Sequence, residues 1–210
     1  MRKIVTLMLA LGGLSFGCGE DPTDEDLSSE PQAQVLDAGR VAPSSDAGVV
    51  DAGPSYDAGK RGKRASAKIE ARSGNTTLAG TIVFEELDDT VIVSLKLTGA
   101  PPGPHGVHLH AKGDCSAADA TSAGDHWNPT SGVHGAPSDA THLGDLGNLI
   151  VGADGTASTA LANTHWAIGD GSPNDVIGKA IVVHGGPDDL TTQPSGNSGP
   201  RIGCGVIAAN

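Results

Sequence analysis

The stretch Val91-Ile92-Val93-Ser94-Leu95-Lys96-Leu97-Thr98 decides the fold class. Val91, Val93, Leu95 and Leu97 alternate with Ile92, Ser94, Lys96 and Thr98, the period of a strand with one buried face. Working backward, Leu87-Asp88-Asp89-Thr90 reads as a turn, Leu78 to Glu86 as a strand, and Ala67, Ile69 and Ala71 against Lys68, Glu70 and Arg72 as another. Working forward, a strand carries Gly106-Val107-His108-Leu109-His110. Leu146 to Val151 and Ala157 to Leu161 read as a hairpin about the Asp154-Gly155 turn signal. Val176 to His184 and Arg201 to Ala208 complete eight short strands. With no long helical period anywhere, these predict an all-β sandwich or barrel. Two long loops interrupt it, Ala111 to about Leu143 and Gly185 to Pro200. Loops of that length in a compact domain are usually functional.

This domain fills 65–210 of the 210 residues. Ahead of it, Met1-Arg2-Lys3 is basic and Ile4 to Leu14 apolar but too short to span a bilayer, so 1–18 reads as an export signal. Cys18 after Gly17 resembles the cysteine of a bacterial lipobox, with Ser15 where that box usually has Leu, and is the expected lipidation site. Residues 19–64 read as a disordered acidic linker. Asp-Ala-Gly recurs at Asp37, Asp46, Asp51 and Asp57 with almost nothing to bury. Single Asp-Ala-Gly units lack the ligand density of a calcium loop. The linker reaches about 35–40 Å as a coil and ends on the basic run Lys60-Arg61-Gly62-Lys63-Arg64. The domain itself has six Lys/Arg and fifteen Asp/Glu, a formal charge of −9. A nucleic-acid partner is therefore not expected, and a membrane is met only through the anchor at Cys18.

His108 and His110 lie two apart in a strand, so their rings share a face. Paired imidazoles suit transition metals. Downstream lie His126, His134, His142 with Asp145, and His184. Seven such groups exceed one four-coordinate site and would serve two adjacent sites sharing an imidazole.

Beyond that chemistry, the chain resembles the copper–zinc superoxide dismutases. The matching stretches include His105-Gly106-Val107-His108-Leu109-His110, Gly113-Asp114-Cys115, His126-Trp127-Asn128-Pro129, His142-Leu143-Gly144-Asp145-Leu146-Gly147-Asn148, Asp188-Asp189-Leu190 and Gly196 to Ile207. The resemblance implies a Greek-key β-sandwich, an exported bacterial enzyme of the periplasm or cell envelope, and possession of copper and zinc. It implies copper ligands His108, His110, His126 and His184, and zinc ligands His126, His134, His142 and Asp145. His126 would be the shared ring. Asp188 would bond a histidine of each set, His108 and His134, and orient their rings. Arg201 would draw superoxide to the copper. Cys115 and Cys204 would form a disulfide, which an oxidising compartment permits. His105 matches a structural position that bonds to backbone, and His165 matches none.

The family converts superoxide to oxygen and hydrogen peroxide on a redox-cycling copper. The rival reading is a copper/zinc carrier on the same sandwich without turnover. A copper-only enzyme would lack the zinc set, which is present. The resemblance also allows a homodimer without marking its face.

Overall fold

The structure, a computed structural model, describes residues 62–138 and 140–210. The export signal, Cys18 and the linker as far as Arg61 lie outside the described residues.

The strands are β1 (Arg64–Ala71), β2 (Ala79–Leu87), β3 (Thr90–Thr98), β4 (Gly103–His110), β5 (Asp145–Val151), β6 (Ala157–Asn163), β7 (Ala180–His184), β8 (Arg201–Val206) and the two-residue β9 (Ala208–Ala209). Eight of them follow the order β5-β4-β7-β8-β1-β2-β3-β6, with β9 added on β1. Every pairing is antiparallel. The sheet curls into a nearly closed all-β barrel. β3 buries Val91, Val93, Leu95 and Leu97 and turns Ser94, Lys96 and Thr98 outward, as its alternation requires. Its core partners include Ile69, Ile82, Phe84, Leu109, Ile181 and Val183.

Four local readings change. β5 and β6 do not form a hairpin ladder: β5 pairs with β4, and β6 with β3. The turn itself is present, with Gly152 N–H donating to Thr156 O at 2.9 Å. It joins the two ends of the sheet, because each strand's apolar face finds a partner far away in sequence. The strand expected from Val176 starts at Ala180. Gly178, at φ +77°, reverses the chain where the strand had been expected to run on. The final strand breaks at Ile207. That residue turns inward, is 1% exposed, and donates its N–H to Lys179 O. At the other end, β1 begins at Arg64, inside the stretch read as linker, and Arg64 pairs with Glu85 at 2.7 Å.

β4 positions the site. It lies between β5 and β7 and is buried on both faces from His105 onward. Its odd residues Val107 and Leu109 face the core, leaving His108 and His110 for the opposite face under the loops. Register shifts occur between Gly106 and His108 and between Val183 and His184, at candidate ligand histidines. Bulges re-aim side chains at such places. His105 is bound at both ring nitrogens by carbonyls, Nδ1 to His184 O at 2.7 Å and Nε2 to Pro101 O at 2.8 Å. It is structural, as expected.

Candidate metal centre

The loop after β4 folds back along it. Trp127 N–H donates to Leu109 O, Leu109 N–H to Gly144 O, and Gly144 N–H to Trp127 O. This lays His126 beside His110. His142 is held by its N–H to Val133 O, and Asp145 opens β5 directly opposite His108. His184 ends β7. Two loops and three strands thus converge on one patch.

The ring nitrogens divide by partner. His108 Nε2–H donates to Asp188 Oδ2 (2.8 Å), and His134 Nε2–H to Asp188 Oδ1 (2.9 Å). His110 Nδ1–H donates to Gly124 O (2.8 Å), and His184 Nδ1–H to Gly199 O (3.2 Å). An oxygen acceptor fixes the proton on the nitrogen facing it and leaves the other nitrogen a bare lone pair. The bare nitrogens are His108 Nδ1, His110 Nε2, His126 Nε2, His134 Nδ1, His142 Nδ1 and His184 Nε2, all buried and without a hydrogen-bond partner. A buried polar atom left unmade costs about 1–3 kcal/mol. Six in one patch are what a metal-binding site looks like before its ions are counted.

They form two sets. His108, His110, His126 and His184 bring one nitrogen each to within 4.8 Å of the others. On the far side of His126, Asp145 is the hub. Its Oδ1 lies 2.9 Å from His126 Nδ1 and 3.3 Å from His142 Nδ1, and its Oδ2 lies 3.1 Å from His134 Nδ1. Those spacings are close to the roughly 3.3–3.4 Å edge of a tetrahedron with 2.0–2.1 Å bonds. Proximity alone groups His108 with His126, His134 and Asp145 and leaves out His142. His142 Nδ1 is bare and lies 3.3 Å from Asp145 Oδ1, which makes it a further candidate on that side. Four nitrogens suit copper, and three nitrogens with a carboxylate suit zinc. His108 and His126 occur in both groups, and His126 turns Nδ1 toward Asp145 while leaving Nε2 bare.

Burial pushes the histidines toward the neutral, metal-binding form. His108 and His110 fall to about 2 and His184 to about 4, chiefly by desolvation, with neighbouring His126 adding to each. His142 is also lowered by burial. Burial alone would raise the Asp145 carboxyl, but the His126 hydrogen bond and the Gly135 N–H outweigh it, and Asp145 titrates below the usual range. These folded values lie below the unfolded value near 6.5. Stability is therefore full above pH 6.5 and falls below it, as the unfolded chain takes up protons the folded chain refuses. Each such histidine contributes about 1.4 kcal/mol per pH unit. For the metal-free protein, urea midpoints should drop steeply between pH 6.5 and 5, by the equivalent of roughly 5 kcal/mol. A midpoint flat over that range would contradict the buried neutral rings.

A cleft of about 640 Å³ opens over the site, lined in part by His110, His126, His184 and Arg201. Arg201 is half-buried, and its Nη1 donates to Ala120 O at 2.9 Å. Cys115 and Cys204 are bonded, with Cα atoms 5.9 Å apart and a sequence separation of 89. Trp127 and Trp166 are buried packing groups, and Trp166 meets Phe84 edge-on at 5.7 Å. His165 is exposed and outside both sets.

Three bracing residues escaped the sequence reading. Asn148 holds Asp188 from both sides, accepting its N–H and donating to its carbonyl, each at 2.8 Å. Gln193 does the same for the backbone of His134, at 2.8 and 2.9 Å. Arg72 donates through Nε and Nη2 to Cys115 O, fixing the disulfide loop to the end of β1. No spacing marks these amides and this guanidinium, because their partners are 40 to 59 residues away. Gly196 is a further constraint. It sits at φ +65°, and any Cβ there would run into Asp188 and His134.

Asp188 carries the prediction that follows. An asparagine can accept from only one of the two rings, so Asp188→Asn should loosen His108 or His134. Metal affinity should fall about 10- to 100-fold, as measured by competition with a chelator for each metal in turn. Unchanged affinity for both metals would refute the orienting role.

The sequence profile described as copper/zinc superoxide dismutase (SODC) matches residues 78–207. An extracellular superoxide dismutase [Cu-Zn] from Brugia pahangi is 38% identical over 156 residues, covering 70% of this chain and 77% of that protein. Among solved structures, the clock protein EA4 superposes with a TM-score of 0.62 at 34% identity, covering 70% of this chain and 94% of the other. A double mutant of an SOD-like protein from Bacillus subtilis gives 0.61 at 36% identity, covering 68% and 96%.

Proposed function

Because the chain belongs to the copper/zinc superoxide dismutase family, we propose that its domain dismutates superoxide to oxygen and hydrogen peroxide. The observation that carries this is the His126 ring, with one nitrogen in each ligand set. His108, His110, His126 and His184 would hold copper, and His126, His134, His142 and Asp145 zinc. Copper would supply one-electron chemistry, while filled-shell zinc does no redox.

The chain's own groups then have distinct tasks. Asp188 and the carbonyls of Gly124 and Gly199 keep the outward nitrogens protonated, so the inward ones stay free. His126 Nε2 faces the cleft side and can hold or release one proton there. Arg201 offers a fixed cation beside that nitrogen's cleft, which favours a small anion at close range. Buried apolar walls under the histidines keep bulk water from competing for the same nitrogens.

The protein is proposed to be exported through residues 1–18 and to be lipid-anchored at Cys18 in the periplasm or envelope, with the acidic linker as tether. A disulfide-bonded domain suits that compartment. The carrier reading keeps one point in favour: the two superposed structures are of a clock protein and an SOD-like protein. The deciding test is superoxide decay on protein with measured copper and zinc. Turnover at full occupancy supports the enzyme, and full occupancy without turnover supports the carrier.

A further inference from the structure

Leaving the histidines aside, the cleft over the site is lined by two charged residues, Arg201 and Asp125. The Gly185–Pro200 loop supplies no Lys or Arg, only Asp188 and Asp189. Among the described residues that line this cleft, Arg201 is the one cation.

We propose that Asp125 sets the rate and selectivity of anion entry, its carboxylate opposing Arg201 within the same cleft. The substrate named here rests on the superoxide reading, while the charge argument does not. Asp125 is placed by its backbone, whose carbonyl accepts the Ala111 N–H at 2.9 Å just before the ligand His126. Its side chain is exposed to the cleft's solvent. The Arg201 guanidinium is braced by the Ala120 carbonyl. Burial lowers its pKa, and the charges of Asp125 and then Asp119 act the other way. Asp119 stands outside the cleft lining, with its Oδ1 accepting from Thr121 N–H and Oγ1–H. Asp125 is thus the carboxylate that shares the cleft lining with Arg201. In a cleft with low-dielectric walls one fixed charge is felt strongly, and this one partly cancels the attraction of Arg201. The domain's formal charge of −9 adds a repulsive background.

The test uses the full chain loaded with copper and zinc, as Asp125→Asn and Asp125→Glu beside the native protein. Two quantities are read: the second-order rate with superoxide, and the dissociation constant of azide from the visible copper spectrum. Asp125→Asn is expected to raise the rate and tighten azide roughly threefold at low salt. The gain should shrink toward one as ionic strength rises from about 0.01 to 0.15 M, where the Debye length falls from roughly 30 to 8 Å. Asp125→Glu, which keeps the charge, should match the native protein. No gain at any ionic strength would overturn the proposal. So would a glutamate variant that behaves like asparagine, or metal loss in Asp125→Asn, which would make the residue structural. If no form dismutates yet Asp125→Asn tightens azide, the charge inference stands and the superoxide reading falls.

Discussion

His126→Ala is expected to abolish dismutation, lowering the superoxide rate more than about a hundredfold. Losing a group that only orients a ligand ring already costs metal affinity about 10- to 100-fold, and this change removes a ring that both groups share. The ring is central in the geometry as well as in the ligand count. Its centroid lies 4.0 Å from that of His108, 5.0 Å from His110, 5.3 Å from His134 and 5.5 Å from His142. Without it, His110 and His184 keep their tautomers, since Gly124 and Gly199 still hold the Nδ1 protons. Copper can then still bind to three nitrogens, and zinc to two nitrogens and Asp145. The variant should therefore retain part of its metal while losing the link between the two sets. Stopped-flow superoxide decay, together with metal content and the copper spectrum, reads these separately. His165→Ala, at a histidine that belongs to neither group, is the control. A His126→Ala protein that keeps both metals and more than about a tenth of the native rate would sink the shared-ring account.

Breaking the Cys115–Cys204 bond should be the largest stability effect. It closes 89 residues, for which chain-entropy arguments give about 4–5 kcal/mol. For a domain of this size that is a drop in melting temperature of roughly 10–15 °C. Cys204 is buried with Ala120, Ala123, Ala180 and Val182, and Cys115 packs against them. The double variant Cys115→Ala with Cys204→Ala should be melted metal-free, so that lost metal is not mistaken for lost covalent restraint. A second consequence reaches the cleft. The bonded loop presents Ala120 O to Arg201, and Arg72 and the Ser73 N–H hold that loop at Cys115 O and Ala118 O. The metal-loaded double variant should then also lose capture rate, with its copper spectrum little changed. A melting temperature within about 3 °C of native would refute the stability claim.

The strands legible in the sequence share one trait: their signal is local. In β3 the alternation of four apolar residues with polar neighbours needs nothing outside eight positions. The β5–β6 hairpin failed for the complementary reason. Asp154-Gly155 does make the turn, but a turn does not say which strand lies beside which. Val151 instead meets Gly103, and Ala157 meets Leu97, both partners far away in sequence. At the site, residue types and spacing picked out seven candidate ligand groups, and the fold brings them to one patch. They did not say which nitrogen of each ring is free, since that follows from acceptors supplied by Asp188, Gly124 and Gly199.

The amino-acid order by itself determined an all-β domain, seven candidate ligands in two long-looped clusters, and a cysteine pair fit to bond. Tertiary structure alone decided the pairing of β5 and β6, the braces from Asn148, Gln193 and Arg72, and the side of each imidazole that is left bare. The physical reason is range. Alternation and ligand type are properties of neighbours along the chain. Hydrogen-bond partners and charges across a cleft come from residues tens of positions apart, brought together only when the sheet curls.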